Sequence, residues 1–330
     1  MNHPRQISHA DSVFDLRPAT PLAEAPPRSD ATSRTNGSGA NGINPAKLPQ
    51  PSTESFVPRQ PRQRLDQLVL APAVRAQLQT LLSRIRNHRL LYEDWGLAEI
   101  DPRGAHVAFN LYGPPGTGKT MCVEALAAEL GRPIIDVSYA EIESKYVGDT
   151  GKNIAAAFAV ARTTGAVLFF DEADSILGKR MTSVTQAADH GVNVARAVML
   201  KQLDSCEGIV AFATNLAHNF DNAFVRRILA HIEIPLPDAD ARLALWQRML
   251  SIRVPGREAV DWPALAERSA GLAGGDIKNA VVIALAATAE KRPEERRVAT
   301  PDLLDAIDHV QSARRAVGTQ PPTVREEILP

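Results

Sequence analysis

One octapeptide constrains the fold of this chain more than any other feature, because it fits the pattern GxxxxGK[ST]. Its members are Gly113, Pro114, Pro115, Gly116, Thr117, Gly118, Lys119 and Thr120. The apolar run 107–112 before it predicts a buried strand, and the residues after it predict a helix. The backbone N–H groups of such a glycine-rich turn and the N-terminus of the helix together suit a phosphate. A chance match occurs in roughly one chain in a hundred of this length, and the strand and helix make it rarer.

The side chains at the end of the octapeptide suit ATP bound with Mg²⁺. We predict that Lys119 reaches the β- and γ-phosphates and that the hydroxyl of Thr120 holds the metal. About 50 residues downstream, the apolar run 166–170 predicts a strand that ends at Asp171 and Glu172. Asp171 is predicted to hold Mg²⁺ through water, and Glu172 to act as the general base for the attacking water. Acidic residues follow many strands in α/β proteins, so this pair is informative only together with the octapeptide.

Two further polar segments follow another predicted strand. The run 209–213 predicts that strand, and Asn215 comes two residues after it, where its amide could orient a water against the γ-phosphate. Taken alone, an asparagine here is more often a turn residue. Arg226 and Arg227 follow a short predicted helix over 221–225. Adjacent arginines usually belong to a solvated surface; the alternative is that they act as arginine fingers on the γ-phosphate of a neighbouring subunit.

The alternation of strands and helices predicts an α/β fold: a P-loop doubly wound parallel sheet with flanking helices over about 64–237, followed by a small α-helical lid over 238–316. A helix is expected from Pro72 to about Leu91, before the sheet. The other predicted strands cover 133–137 and 231–234, and the predicted lid helices cover 239–250, 262–269, 276–291 and 302–316.

Composition separates this core from the ends of the chain. Residues 1–61 hold 10 of the 24 prolines, so that segment buries too little apolar surface to offset the entropy of ordering it. We therefore expect residues 1–63 to be a disordered proline-rich tail, which serves as a tether or as a docking arm for a partner. Residues 317–330 are expected to be a C-terminal tail.

Charge and cysteine content argue against several functional classes. The chain has 37 Lys and Arg against 38 Asp and Glu, so no global charge attracts nucleic acid or an anionic membrane, although a local basic patch stays possible. Cys122 and Cys206 lie far apart and indicate neither a disulfide framework nor a zinc site. The N-terminal residues contain no apolar signal segment, and the longest apolar run, 280–289, is half a membrane span. These features predict a cytoplasmic protein without a membrane partner.

Between about 64 and 315, the sequence resembles the AAA-family ATPases of the AAA+ superfamily, in the style of single-ring proteins of the katanin, spastin and vacuolar-sorting type. The segments that carry the resemblance are 113–120, 169–174, 213–215 with the arginine pair, 234–242 and 271–281. The resemblance implies ATP and Mg²⁺ as cofactors and a ring of identical subunits, with six as the expected number. It also implies that Asn215 senses the γ-phosphate and that Gly274 and Gly275 lie against the adenine.

The segment 144–149 narrows the expected function, because it is similar to the SK[WY]VGES loop that lines the central pore of such rings. The resemblance implies that Tyr146, with Lys145 and Val147 beside it, grips an extended polypeptide. A tyrosine packed inside its own subunit is the alternative, but the polar neighbours are a poor core signature. A second pore loop is expected over 178–191, with Lys179, Arg180 and His190 as candidate lining residues.

Two segments depart from the family pattern. Ile228, Leu229, Ala230 and His231 stand where many relatives have Arg-Phe-Asp-Arg, and the run 203–206 replaces the usual Leu-Asp-Gly. The edge between subunits is therefore altered, and either arginine of the pair could act on the neighbour.

The leading hypothesis is a Mg-ATP-dependent ring ATPase that remodels, unfolds or disassembles a protein substrate through its pore. A nucleic-acid-loading AAA+ ATPase and a nucleotide-gated assembly scaffold are alternatives from other classes. The first would need a basic surface or a DNA-binding domain. Two narrower possibilities are a relative of the pachytene-checkpoint ATPases, acting on HORMA-domain proteins in phage defence, and a protein that handles secretion or plasmid-borne complexes.

Overall fold

The computed structural model describes residues 56–101, 107–138, 142, 149–178, 187–206, 208–215 and 220–318. Within these residues, five parallel strands form one sheet in the order β2-β3-β4-β1-β5. The strands are β1 (Val107–Tyr112), β2 (Ile134–Val137), β3 (Val167–Phe170), β4 (Ile209–Thr214) and β5 (Ala230–Glu233). The predicted parallel α/β sheet is confirmed. Because β1 lies between β4 and β5, the residues that follow these three strands meet at one edge of the sheet.

Helices cover both faces of this sheet. Those of the sheet subdomain are α1 (Pro72–Arg86), α2 (Leu97–Ile100), α3 (Lys119–Glu129), α4 (Asp149–Thr164), α5 (Asp174–Leu177), α6 (Ala187–Ser205) and α7 (Asn222–Val225). Successive strand side chains enter opposite cores, so Phe109 packs with α1 and α3 while Phe170 and Phe212 pack with α4 and α6. Burial on both faces explains why the strands read as continuous apolar runs.

The helical region after the sheet has a hydrophobic core of its own. Its helices are α8 (Ala239–Met249), α9 (Trp262–Arg268), α10 (Gly274–Ala289) and α11 (Thr300–Gly318). Trp246 lies fully buried at its centre and donates a hydrogen bond from its indole N–H to Ser269 Oγ, 3.0 Å away. Asp238 and Asp261 cap α8 and α9 by accepting backbone N–H bonds. This arrangement is consistent with the predicted lid.

The disordered tail predicted over residues 1–63 extends too far along the chain, because Phe56 and Arg59 belong to the folded part. Phe56 is 4% exposed and packs in the sheet core, and Arg59 exchanges backbone hydrogen bonds of 2.9 and 2.8 Å with Ile134 at the edge of β2. The Arg59 guanidinium also pairs with Glu124 on α3 and with Asp136. Proline content drew the boundary at 64, but an unpaired strand edge gives a short extended segment hydrogen-bonding partners.

Other element boundaries shift as well. Helix α1 ends at Arg86 instead of Leu91, and a π-helical turn follows at Leu90–Asp94. Helix α6 begins at Ala187, so His190 belongs to a helix and the expected second pore loop does not extend to residue 191. Lys179 and Arg180 lie outside the described residues. No helix in the described ranges has the length and apolar content needed to cross a membrane.

Candidate nucleotide site

A cleft of 730 Å³ lies where the carboxyl edge of the sheet meets the lid. Its floor is the glycine-rich octapeptide, which joins β1 to α3, and one wall is the start of α10. The opposite wall comes from the extended segment 67–70, before α1. The cleft collects polar groups from three parts of the chain on one side and apolar side chains on the other, which is the usual character of a nucleotide pocket.

Glycine is required at the first position of the octapeptide. Gly113 has φ 143°, and a Cβ added there would lie 2.2 Å from the carbonyl oxygen of Ile234. Gly118 has φ 97° and forms the N-cap of α3, so the backbone turns sharply and directs the first N–H groups of the helix into the cleft. Helix α3 has 11 residues, and its N-terminus supplies partial positive charge at the floor.

Lys119 lies at the centre of the floor and is 8% exposed. Its Nζ donates to the carbonyl oxygens of Gly113 and Pro114, at 2.9 Å each, and to Asn215 Oδ1 at 2.8 Å. Burial lowers the pKa of this ammonium group, and the nearby carboxylates of Asp171 and Asp174 oppose that shift. The lysine is therefore held in place by three acceptors at the point where phosphate would bind.

Thr120 and Asp171 bring two hard oxygen groups together. Thr120 Oγ1 donates to Asp171 Oδ2 over 2.9 Å, which joins the start of α3 to the end of β3. A hydroxyl beside a carboxylate, next to a phosphate-binding loop, fits Mg²⁺, which prefers oxygen ligands and keeps several waters. These residues therefore fit the metal that the sequence predicts.

Glu172 is exposed and lines the cleft. Its backbone N–H donates to Asp171 Oδ1 at 2.9 Å, and its φ is 51°. Among the described residues it is the only non-glycine residue with positive φ. Such a conformation costs about 1–3 kcal/mol and is found most often at functional sites. Directing this carboxylate into the cleft gives a physical reason for the strained turn.

Asn215 follows β4 and faces the same site. Its side-chain oxygen accepts from Lys119, and its backbone N–H donates to Asp174 Oδ2 at 3.3 Å. A water or phosphate beside Lys119 would therefore lie within reach of the Asn215 amide. The structure places Asn215 beside Lys119, and its action on the γ-phosphate or the attacking water stays a prediction.

The lid contacts the octapeptide through Gly274 and Gly275, at the start of α10. The backbone N–H of Gly275 donates to the carbonyl oxygen of Gly116 at 2.9 Å. A Cβ added at Gly116 would lie 3.4 Å from the Cβ of Ala273. Gly274 and Gly275 line the cleft, and their contact with the adenine stays a prediction.

The sequence-based search missed several lining residues. They are Gln63, Gln67, Leu68, Val69, Leu70, Met121, Leu245, Arg248, Met249 and Lys278. Apart from Met121 on α3, the apolar members come from the segment before α1 and from α8, which are far apart in sequence. The apolar residues 68–70 were visible in the sequence, but they have no fixed spacing to the octapeptide that could reveal their role.

The two arginines of the pair have different surroundings. Arg227 forms a bidentate pair with Asp204 on α6, with N–O distances of 2.8 and 2.9 Å, and also donates to the carbonyl oxygen of Ala223. Hydrogen bonding to Asp204 raises the pKa of Arg227. Arg226 is exposed, and its side chain forms neither a hydrogen bond nor an ion pair with any described residue. Neither arginine lines the cleft of its own subunit.

The predicted pore residues Lys145, Tyr146 and Val147 lie outside the described residues. The nearest described positions are residue 142, where Ile142 is buried, and the start of α4 at Asp149. Helix α4 packs against α6. The assignment of these three residues to a pore therefore stays a prediction.

Comparison with known proteins agrees with the cleft. Residues 109–236 match the family described as "ATPase family associated with various cellular activities (AAA)". The chain is 36% identical over 181 residues to katanin p60 ATPase-containing subunit A1 of Strongylocentrotus purpuratus, covering 51% of this chain and 34% of that protein. It is 33% identical over 216 residues to the proteasome-activating nucleotidase of Methanothermobacter thermautotrophicus, covering 62% and 51% respectively.

A third relative is spastin of Ixodes scapularis, which is 32% identical over 224 residues, covering 64% of this chain and 34% of spastin. The chain thus spans about a third to a half of the length of these relatives. The matched region includes the octapeptide, the acidic pair after β3, Asn215 and both arginines. Together with the parallel sheet and the cleft, these matches show that the chain contains an AAA ATPase domain and is homologous to katanin and spastin.

Proposed function

We propose that this chain is a Mg²⁺-dependent ATPase that assembles into a ring of six subunits and remodels a protein substrate. The observation that carries the ATPase part is the convergence of Lys119, Thr120, Asp171, Glu172 and Asn215 on one cleft. These residues come from the ends of β1, β3 and β4, so only the folded sheet brings them together. Their chemistry matches the requirements of phosphoryl transfer to water.

Each residue has a distinct task in the proposed hydrolysis. Lys119 exchanges one of its three acceptors for a phosphate oxygen, and Asn215 orients the water beside it. The Glu172 carboxylate accepts a proton from that water as it attacks the γ-phosphate. Thr120 and Asp171 hold Mg²⁺, which neutralises charge on the phosphate oxygens when it is bound.

The different surroundings of the arginine pair support Arg226 as the residue that acts on a neighbour. Arg227 is bound to Asp204 through both carboxylate oxygens, so using it on another subunit would break a bidentate pair. Arg226 is exposed one residue away and has no partner among the described residues. We therefore assign the trans role to Arg226 and an anchoring role to Arg227.

A protein substrate is proposed from the pore motif at 144–149 and from the relatives. The name of one relative, proteasome-activating nucleotidase, joins a nucleotide to the activation of a proteasome. In this proposal Tyr146 contacts the substrate backbone and side chains in the pore, with Lys145 and Val147 beside it. A HORMA-domain protein, as in phage defence, is a narrower candidate for that substrate.

The test is ATP hydrolysis by the purified chain over a range of protein concentrations, with sizing of the assembly in ATP and Mg²⁺. We expect turnover per subunit to rise with concentration as a six-subunit species forms. Hydrolysis per subunit that does not depend on concentration would reject the requirement for assembly. Assembly in ATP without any turnover would instead support a nucleotide-gated scaffold.

The substrate class is tested with Tyr146→Ala. We expect basal hydrolysis to persist while the unfolding of an added tagged model protein is lost, because the residues to which we assign hydrolysis are unchanged. Tyr146→Phe is the matched control and should retain most of the unfolding activity, since the aromatic ring is kept. Stimulation of hydrolysis by single- or double-stranded DNA, and not by protein, would favour the nucleic-acid-loading alternative.

A further inference from the structure

Three polar side chains of the sheet have buried atoms without a hydrogen-bonding partner among the described residues. Asn110 is fully buried on β1, and neither atom of its amide group has a partner. Thr214 Oγ1 at the end of β4 and His231 Nε2 on β5 are also buried and unpaired. Buried polar atoms without partners are uncommon and costly, so a group of them on one sheet calls for a functional reason.

The strand register brings these three side chains together. Asn110 lies directly opposite Phe212 on β4 and opposite His231 on β5. Thr214 comes two residues after Phe212, so it projects from the same face of the sheet. Because β1 lies between β4 and β5, Asn110 is the central member of the group. The surrounding core on this face is aromatic and includes Phe224 of α7.

The hydrogen-bonding groups of His231, Asn110 and Thr214 are complementary in the order in which these residues lie across the sheet. Burial lowers the pKa of His231, and the nearby backbone of Val225 opposes that shift. A neutral imidazole has one N–H, so with that N–H directed to the backbone carbonyl of Val225 the remaining ring nitrogen is an acceptor. Asn110 can donate to that nitrogen through its NH₂ group while its oxygen accepts from the hydroxyl of Thr214.

The three side chains lie between two segments to which we assign functions, one that bears Asn215 and one that bears Arg226. Thr214 immediately precedes Asn215, which contacts Lys119 in the nucleotide cleft. At the other end, Val225 immediately precedes Arg226. The Val225 backbone lies close enough to His231 to influence the pKa of its imidazole, while the two links made by Asn110 are open. His231 and Asn110 therefore lie between the subunit's own site and the arginine offered to its neighbour.

We propose that Thr214, Asn110 and His231 form a buried hydrogen-bond relay that positions Arg226 according to the state of the subunit's own nucleotide site. The proposal rests on the trans role of Arg226 stated above. The two open links close, directly or through one water, when the segment that bears Arg226 docks against the next subunit. A core of apolar side chains could not switch between open and closed hydrogen bonds. This requirement accounts for the unpaired polar groups at these positions.

Asn110→Leu tests the relay, because leucine has a similar volume and suits the aromatic core. We expect ATP turnover per assembled subunit to fall by about tenfold, with the KM for ATP changed less than about twofold. The thermal midpoint should stay equal or rise, since a buried unpaired amide is removed. Thr214→Val is a second variant with the same expected pattern, and Thr214→Ser, which keeps the hydroxyl, is its matched control.

A double-mutant cycle with Arg226→Ala separates the relay from the function on which it rests. If Asn110 acts through Arg226, Asn110→Leu will cause no further loss of turnover once Arg226 is replaced. A full additional loss in that background would overturn the relay, as would wild-type turnover in both Asn110→Leu and Thr214→Val. Unchanged turnover in Arg226→Ala alone would instead overturn the proposed trans role.

Discussion

The nucleotide cleft and the arginine pair are both parts of the proposed catalytic machinery. They differ in how many of their side chains are held in place by contacts within one subunit. In the cleft, Lys119 is bonded to Asn215, and Thr120 is bonded to Asp171. Arg226, in contrast, is exposed and without a partner among the described residues. One subunit therefore preorganises the binding of a nucleotide, whereas in the proposed mechanism the last charged group of the reaction comes from a second copy of the chain.

The most complete loss is expected for Lys119→Ala, which removes the central charge of the cleft and therefore both nucleotide binding and the turnover that depends on it. We expect nucleotide affinity to fall at least about 100-fold, because charge-assisted hydrogen bonds to phosphate are lost. Calorimetric titration with ADP and with a non-hydrolysable ATP analogue measures this directly. Lys201→Ala is the control, since that lysine is exposed on α6 and does not line the cleft. Binding that survives in Lys119→Ala would remove the octapeptide from the site.

The second effect is expected for Glu172→Gln, which keeps the size of the side chain but removes the base. Turnover should fall by up to about 10⁴-fold, while affinity for ATP stays near that of the unchanged protein. Single-turnover hydrolysis together with an ATP-binding titration separates the two quantities. The variant should also hold bound substrate protein. Turnover within a factor of a few of the original would show that another group activates the water.

Arg226→Ala is expected to lower turnover by about 10³-fold without weakening the binding of nucleotide, because the arginine acts on another subunit's site. Mixing this variant with Glu172→Gln subunits sharpens the comparison between the two regions. Each mixed ring contains some interfaces with an intact Glu172 on one side and an intact Arg226 on the other. Mixtures should therefore recover activity that neither variant has alone. A failure to recover activity would place Arg226 outside the neighbour's site.

The cleft could be predicted from the sequence because its residues occur in short local patterns. The octapeptide, the acidic pair after β3 and Asn215 each follow a strand, and parallel strands bring their carboxyl ends to one edge. The apolar wall from 67–70 and α8 escaped prediction, since it depends on how the lid meets the sheet. Phe56 and Arg59 were assigned to a tail because local composition cannot reveal a pairing with the distant edge of β2.

The sequence also could not predict how the two adjacent arginines differ. Two adjacent arginines look equivalent in a sequence, and only the position of Asp204 on α6 separates them. The polar relay was equally hidden, because Asn110 reads as one polar residue in an apolar strand. Its role depends on the strand register, which places His231 opposite Asn110 on β5 and Thr214 diagonally across from it on β4.

The smallest effect is expected for Arg227→Ala, and it should appear in stability instead of in the chemistry. The pair with Asp204 is bidentate but partly exposed, with side chains 24% and 38% accessible, so its loss should cost about 1 kcal/mol of unfolding free energy. Chemical denaturation of Arg227→Ala, Asp204→Ala and the double variant gives the coupling between the two side chains. Arg226→Ala should leave the free energy of unfolding unchanged in the same assay, because that side chain has no hydrogen bond or ion pair with the described residues. If Arg227→Ala instead abolished turnover while leaving stability intact, the roles of the two arginines would be exchanged, and the subunit would have to break the pair with Asp204 each time its neighbour hydrolyses ATP.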